Sequence, residues 1–344
     1  MNGSYTHLGD IKRTISDLKK SGLTPDEAGQ ILDRNEALSE WIKPRLLTTF
    51  GTRLSKASLP AIEALADEIA SYQEEKLDLI NYQPLAGVLA TSLHRAVTEA
   101  IEQNSTKPIS AWKKLYLEKD SDDQPILRDQ RRAAKLRACL GVYFDYLVAM
   151  QEQSLYDYDD MILRVVHALE IFDELRFNLQ EQYQYILVDE FQDTNDAQMR
   201  LIWNLTNNPA SEGRPNLMVV GDDDQAIYRF QGADVSNILD FTSRYHGVSI
   251  VTLTDNYRSG SKILALSRSV ITQADGRLED TLEGIDKTLT AHRDTQFLPA
   301  HSRYETTHEM YHALARRIAT DYTKQPERSY AVISRNHRQL IAPL

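Results

Sequence analysis

The first 150 residues of the chain repeat apolar positions at helical spacing. Leu8, Ile11, Ile15 and Leu18 recur every three or four residues, which predicts a helix over 8–20. The segment 24–27 (TPDE) has the order of a helix start, with a capping hydroxyl, a proline and then acids in the first turn. Helical spacing continues, between polar loops at 103–110 and 119–126, into a long basic helix over 127–151. We therefore predict an all-helical subdomain over residues 1–153.

The pattern changes after residue 155, where short apolar runs alternate with helices. The predicted strands are 185–188, 217–220 and 249–253, and the predicted helices are 158–176, 196–206, 234–244 and 260–273. Strands separated by helices are typical of a parallel α/β sheet. Residues 275–295 are predicted to be a loop-rich insertion. Further strands are predicted at 296–299 and 330–333, around a helix over 305–320.

Two adjacent carboxylates follow the first of these strands, in the segment ILVDEFQDTN at 186–195. Open α/β sheets place ligands at the carboxyl ends of their strands, so Asp189 and Glu190 are candidate site residues. One carboxylate there can hold Mg²⁺, and the other can orient or deprotonate a water that attacks a terminal phosphate. The alternative for a bare Asp-Glu pair is a capped helix start, with Asp193 or Thr194 as the cap.

The segment VVGDDDQAIYRFQGA at 219–233 adds an amide and two aromatic rings. Gln225 can hydrogen-bond a γ-phosphate or the attacking water. Tyr228 and Phe230 offer flat faces on which DNA bases can stack, although two aromatics at this spacing are otherwise common in protein cores.

The segment LTDNYRS at 253–259 places an arginine after another predicted strand. The guanidinium of Arg258 is suited to the charge that develops on a transferring phosphoryl group. Alternatively, Asn256 or Ser259 could simply cap the helix that follows.

Together these segments resemble motifs II, III and IV of superfamily 1 DNA helicases of the UvrD/Rep/PcrA type. The resemblance implies RecA-like parallel sheets of the P-loop NTPase class, with ATP and Mg²⁺ as cofactors. It assigns Asp189 to Mg²⁺, Glu190 to water activation and Gln192 to coupling between the ATP and DNA sites. It also implies that Tyr257 stacks on the adenine and that Arg258 reaches the γ-phosphate.

Two segments depart from the family pattern or match it weakly. The family commonly has Gly-Trp-Arg-Gly where this chain has Arg229, Phe230, Gln231 and Gly232. Phe230 aligns with the usual tryptophan, whereas Gln231 replaces the usual arginine and Arg229 is a displaced basic residue, so the DNA contact expected here is altered. The segment 156–162 (YDYDDMI) resembles the stretch before motif II, but an acidic helix start explains it equally well.

The net charge of −11 makes nucleic-acid binding depend on a local basic surface. Arg128, Arg131, Arg132 and Lys135 have the spacing of one helix face and are candidates for contact with duplex phosphates, with a solvated charged face as the alternative. The single cysteine, Cys139, excludes an internal disulfide and a cysteine-based zinc site. Without a signal peptide or a long apolar run, the chain is expected to be cytoplasmic.

A phosphate-binding loop of the form GxxxxGK[ST] is needed by this class of motor, and none of the 14 glycines is followed by lysine. The chain is therefore expected to be an internal piece of a helicase: subdomain 1B over 1–153, the second half of RecA-like domain 1A over 154–247, and the start of domain 2A over 248–344. The resemblance implies 3′-to-5′ movement on single-stranded DNA, with action at single-strand/duplex junctions in repair or replication restart. The chain alone is expected to be inactive as an ATPase. The alternatives are a non-catalytic DNA- or partner-binding module with a helicase fold, or part of a helicase–nuclease.

Overall fold

The computed structural model describes residues 7–51, 53–74, 77, 79, 82–128, 130–226, 238, 241, 244–274, 277–281, 284–293, 298–336 and 340. The chain divides into two compact units, Met1–Ile250 and Val251–Leu344. Both units are rich in helix, and their strands form short two-stranded sheets. Among the described residues, no helix combines the length and the apolar character needed to cross a membrane.

The described helices of the first unit are α1 (Leu8–Lys20), α2 (Pro25–Phe50), α3 (Leu59–Ala70), α4 (Leu85–Glu102), α5 (Lys107–Tyr116), α6 (Gln130–Glu152), α7 (Tyr158–Ile171), α8 (Asp173–Gln182) and α9 (Asp196–Thr206). Its strands are β1 (Leu117–Lys119), β2 (Pro125–Leu127), β3 (Ile186–Val188) and β4 (Leu217–Val219). The helices predicted over 8–20 and 196–206 are confirmed at both ends.

The start of α2 confirms the predicted cap. The Thr24 hydroxyl accepts a hydrogen bond from the Glu27 N–H at 3.1 Å, and the Glu27 carboxylate accepts one from the Thr24 N–H at 2.8 Å. This reciprocal pair satisfies backbone donors that the first helical turn leaves free. The cap therefore sets where the chain leaves the turn between α1 and α2.

The N-terminal region is not all helical, and this prediction was wrong. Strands β1 and β2 form an antiparallel hairpin with Leu117 opposite Leu127. The Asp120 carboxylate closes the hairpin by accepting hydrogen bonds from the N–H groups of Asp122 and Gln124. Strands of three residues are too short to show alternation in sequence, so only the polar turn was visible. The apolar ends of the hairpin pack into the main core, which has α2–α5 around it and includes Leu38, Ile42, Leu46, Ile62, Leu93, Ile109 and Trp112.

The strands predicted at 185–188 and 217–220 are confirmed as β3 and β4, which pair in parallel with Ile186 opposite Leu217. The helix predicted over 158–176 is instead two helices, because the chain bends at Phe172 between α7 and α8. Helix α9 is capped by Asn195 rather than by Asp193 or Thr194. The predicted helix over 234–244 lies mostly outside the described residues.

The described elements of the second unit are β5 (Asp255–Asn256), α10 (Ser261–Ile271), α11 (Leu278–Thr281), β6 (Thr290–Ala291) and α12 (Thr307–Lys324). Strands β5 and β6 pair in parallel, with Asp255 opposite Thr290. Residues 275–295 therefore contain a strand where an insertion was predicted.

The strands predicted at 249–253 and 330–333 are not formed, and the one at 296–299 falls partly outside the described residues. Val251 and Ile333 are 77% and 92% exposed, so within the described part of the chain no neighbouring layer buries these apolar runs. A short apolar run becomes a strand only where it finds a hydrogen-bonding partner.

Candidate functional site

Asp189 and Glu190 leave the carboxyl end of β3 as exposed side chains. The Asp189 carboxylate accepts a hydrogen bond from the Glu190 N–H at 2.9 Å. Glu190 has φ 48° and ψ 44°, a left-handed conformation that is uncommon for a residue with a side chain. The following residue, Phe191, is buried and donates its N–H to the Val220 carbonyl at 2.9 Å. The turn that presents the two carboxylates is thus anchored to the β4 segment.

Gln192 connects the ends of the two parallel strands. Its side chain is buried, with 1% of the residue exposed. Its Nε2 donates to Glu190 Oε2 at 2.8 Å, and its Oε1 accepts from the Asp222 N–H at 3.0 Å. Since both ends of the amide are used, Gln192 fixes the Glu190 carboxylate relative to the segment after β4.

The hydrogen-bonded chain continues beyond Gln192 to Gln225. Gln225 Nε2 donates to Asp222 Oδ2 at 2.7 Å, and Asp222 Oδ1 accepts from the Asp224 N–H at 3.2 Å. The structure thus brings together three residues that the sequence singled out, Glu190, Gln192 and Gln225. It adds Asp222, which sequence reasoning missed, although its position directly after Gly221 at a strand end was a usable signal. Tyr228, Arg229, Phe230 and Gln231 lie outside the described residues.

In the second unit, Tyr257 and Arg258 follow β5 and both are exposed. Tyr257 stacks on His292, with ring centroids 4.7 Å apart and planes 17° from parallel. Asn256 does not cap α10, which begins after Gly260. Its Oδ1 instead accepts hydrogen bonds from the N–H groups of Arg258 and Ser259 at 3.0 and 2.8 Å. The sequence did not single out His292, because no recognised segment contains it.

The segment 156–162 forms a helix start built around a buried lysine. Asp157 caps α7 through a reciprocal pair with Asp160. Lys19, 1% exposed, reaches Asp157 at 2.7 Å and Asp160 at 2.5 Å, and Tyr146 donates to Asp157 at 2.9 Å. Burial opposes ionisation of Asp157, but these hydrogen bonds outweigh it and lower its pKa. The structure thus confirms an acidic helix start at this segment.

The structure excludes Arg128 from the predicted basic helix face, which also included Arg131, Arg132 and Lys135. Arg128 precedes α6, donates its N–H to the Tyr116 carbonyl at 2.8 Å and its Nη2 to the Lys114 carbonyl at 2.5 Å, and so belongs to the hairpin. The helical spacing was extended one turn too far, because the turn before α6 carries no glycine or proline. Arg132 and Lys135 are exposed on α6, and the side chain of Arg131 lies outside the described residues.

Residues 7–246 match the family model described as "UvrD/REP helicase N-terminal domain". The chain belongs to this family of UvrD/REP helicase N-terminal domains. The matched range contains Asp189, Glu190, Gln192 and Gln225. Tyr257 and Arg258 lie beyond it, so their roles rest on the resemblance of residues 253–259 alone.

Relatives of this UvrD/REP helicase domain carry helicase names. The chain is 34% identical over 208 residues to "ATP-dependent DNA helicase UvrD1" of Mycobacterium tuberculosis strain H37Rv, covering 60% of this chain and 24% of the relative. It is 42% identical over 130 residues to "ATP-dependent DNA helicase PcrA" of Bacillus subtilis strain 168, covering 38% of this chain and 17% of the relative. A PcrA of Leuconostoc citreum is 36% identical over 141 residues, 41% of this chain and 18% of the relative. The chain thus spans about a quarter or less of these relatives.

The donor set at β3 suits Mg²⁺ held together with phosphate. Within the described residues, no group of three or more His, Cys, Asp or Glu side chains is arranged to hold a metal ion. Mg²⁺ commonly takes one or two protein carboxylates and fills its other positions with water and substrate phosphates. The exposed carboxylate of Asp189 at a strand end meets that requirement.

Gly221 of the UvrD/REP domain follows β4 and lies against Gln192. A Cβ at this position would lie 2.8 Å from Gln192 Oε1 and 3.2 Å from the Gln192 backbone nitrogen. The 2.8 Å distance is shorter than real Cβ contacts, so Gly221→Ala must displace the Gln192 side chain. We expect this variant to lose about 1–3 kcal/mol of unfolding free energy by overpacking. Denaturant unfolding of the purified chain measures it.

Gly141→Ala is the matched control for this prediction. Gly141 lies within α6, and an added Cβ would meet nothing within 4 Å. There the same substitution should stabilise the chain by about 0.5–1 kcal/mol, because glycine is a poor helix former. Equal unfolding free energies of Gly221→Ala and Gly141→Ala would show that Gly221 is not in tight contact with Gln192.

Proposed function

We propose that the chain is part of an ATP-dependent DNA helicase that moves 3′-to-5′ on single-stranded DNA and separates duplex ahead of it. The observation that carries the proposal is the hydrogen-bonded chain Glu190–Gln192–Asp222–Gln225 across the ends of two parallel strands. Both motif-like segments contribute to it, as expected if they act on one bound nucleotide. The names of the relatives add support, because they are ATP-dependent DNA helicases.

In this proposal each site residue has a separate task. Asp189 is the protein ligand of Mg²⁺, which when bound neutralises charge on the ATP phosphates. Glu190 orients the attacking water and takes its proton, and the amide of Gln225 contacts the γ-phosphate or that water. Gln192 couples the two strand ends, so that a movement of the backbone after β4 also moves the Glu190 carboxylate.

For Tyr257 and Arg258, the resemblance of residues 253–259 implies roles in binding the nucleotide. Tyr257 stacks on the adenine, and Arg258 stabilises charge on the γ-phosphate.

Tyr228 and Phe230 stack on DNA bases, with Arg229, Arg128, Arg131, Arg132 and Lys135 as candidate phosphate contacts. Of these candidates, Arg132 and Lys135 are exposed on α6.

The domain assignment is part of the same proposal. Residues 1–153 are assigned to subdomain 1B, 154–247 to the C-terminal part of RecA-like domain 1A, and 248–344 to the start of domain 2A. Since the sequence has no GxxxxGK[ST] loop to hold the β- and γ-phosphates, we expect little or no ATPase activity from these 344 residues alone. A cytoplasmic location, where ATP and DNA are both accessible, belongs to the proposal as well.

The test measures Mg-ATP hydrolysis with and without single-stranded DNA, on these 344 residues and on the full-length protein that contains them. Strand separation is followed on duplexes with a 3′ or a 5′ single-stranded tail. DNA-stimulated hydrolysis by the full-length protein, with unwinding from the 3′ tail, is the expected result. DNA binding without hydrolysis would instead favour a non-catalytic binding module, and unwinding from the 5′ tail would overturn the polarity.

A further inference from the structure

A second aromatic ring accompanies Tyr257 in the second unit. The His292 ring stacks on the Tyr257 ring, with planes 17° from parallel and centroids 4.7 Å apart. Tyr257 nevertheless remains 72% exposed. The tyrosine is therefore supported by a neighbour while most of its surface stays open to a ligand.

His292 is itself held in place by two contacts. Its Nε2 lies 2.6 Å from Asp255 Oδ1, and its backbone N–H donates to the Asn256 carbonyl at 2.9 Å. The second contact continues the parallel pairing of β5 with β6. The ring is thus fixed both by the sheet and by a carboxylate at its edge, so it can act as a rigid support.

The residue after His292 supports the neighbouring site residue. Arg293 Nη1 donates to the Arg258 carbonyl at 3.2 Å. The N–H of Arg258 is bound by the Asn256 side chain at 3.0 Å. The peptide groups on both sides of the Arg258 Cα are therefore held, and its side chain is exposed.

We infer that His292 is a positioning residue that holds Tyr257 in the orientation needed to stack on the base of a purine nucleotide. The inference rests on the proposed function, because it assigns the exposed face of Tyr257 to adenine. An exposed tyrosine without support has to be ordered when the base binds. A stacked partner removes this free-energy cost of ordering the side chain. An aromatic pair of this kind changes an equilibrium constant by about 2- to 12-fold.

The experiment compares His292→Ala and His292→Phe with wild type in the full-length protein. KM and kcat are measured for DNA-stimulated hydrolysis of ATP and of CTP. We expect His292→Ala to raise KM for ATP by about 3- to 10-fold, to leave kcat within about twofold, and to affect CTP less because its smaller ring stacks over less area. His292→Phe keeps a flat ring and should restore KM for ATP.

His301→Ala is the matched control, since His301 is an exposed histidine of the same unit outside this arrangement. It should leave both constants unchanged. A wild-type protein without ATPase activity would overturn the proposed function itself. With an active wild type, an unchanged KM in His292→Ala, an equal loss for ATP and CTP, a fall in kcat alone, or a failure of His292→Phe to restore KM would each overturn the positioning role.

Discussion

Glu190→Gln is expected to lower kcat for DNA-stimulated ATP hydrolysis by about 10²- to 10⁴-fold in the full-length protein. The amide has the shape of the carboxylate but cannot accept a proton from the attacking water. Because Gln192 Nε2 can still donate to the side-chain oxygen of the new residue, the turn after β3 should keep its geometry. KM for ATP should therefore change little, and steady-state kinetics at saturating single-stranded DNA separates the two effects.

Neighbouring contacts hold the backbone at Glu190 in an uncommon conformation. A left-handed conformation costs a residue with a side chain about 1–3 kcal/mol, and it persists only where neighbouring contacts enforce it. Here those contacts come from the Asp189 carboxylate, the buried Phe191 and Gln192.

Glu212 provides a matched control, since it is also an exposed glutamate in this conformation, with φ 49°. Glu212→Gln should leave kcat unchanged. A comparable loss in both variants would mean that Glu190 has no special role in catalysis.

The parts of the fold that sequence predicted well are those with local signals. Helix α9 has a clear apolar period, although its cap is Asn195 and not the predicted Asp193 or Thr194. Helix α2 begins with a capping threonine, a proline and acids, so its start could be predicted from neighbouring residues. The break at Phe172 had no such signal, because the apolar period runs through it without glycine or proline. Strand formation at 249–253 depends on a hydrogen-bonding partner elsewhere in the chain, which no local pattern reveals.

In the candidate site, too, local sequence predicted some residues, whereas other contacts depend on tertiary packing. Asp189, Glu190 and Gln225 were predicted because a carboxylate or amide after an apolar strand has a direct chemical meaning. The resemblance assigned Gln192 to coupling, but its bridging position depends on Gly221 lying beside it, a contact between residues 29 positions apart in sequence. His292 follows Tyr257 by 35 positions and reaches it only through the pairing of β5 with β6. Such contacts come from tertiary packing, not from spacing.

Arg200→Ala is expected to destabilise the first unit by about 3–5 kcal/mol, a large part of the 5–15 kcal/mol typical of a folded domain. Arg200 is 8% exposed and joins α9 to the turn before α2 and to α7. Its guanidinium donates to the Glu27 carboxylate at 2.7 Å, to both Glu170 oxygens at 2.7 Å, and to the Gly22 carbonyl at 2.6 Å. Removing it leaves two partly buried carboxylates without their cation, which denaturant unfolding will measure.

Arg137→Ala is the control that separates burial from ion pairing as such. Arg137 also bonds two carboxylates, Asp33 at 2.7 Å and Glu36 at 2.9 Å, but its side chain is 43% exposed. Exposed ion pairs contribute little to stability, so this variant should be nearly as stable as wild type. Equal losses of unfolding free energy for Arg200→Ala and Arg137→Ala would show that burial does not strengthen the ion pairs of Arg200.

The loss of unfolding free energy in Arg200→Ala should also depend on pH, in a direction set by the pKa of Glu27. Burial opposes ionisation of Glu27, but hydrogen bonds from Arg200 and the Thr24 backbone outweigh it and lower its pKa. A carboxylate with a lowered pKa stabilises the folded state above its unfolded pKa of about 4.3, and this stability is lost as pH falls through the folded value. The difference in unfolding free energy between wild type and Arg200→Ala should therefore be full at neutral pH and shrink below about pH 4. A difference that stays constant on acidification would place the cost in lost packing, because the Arg200 side chain also fills space between three helices.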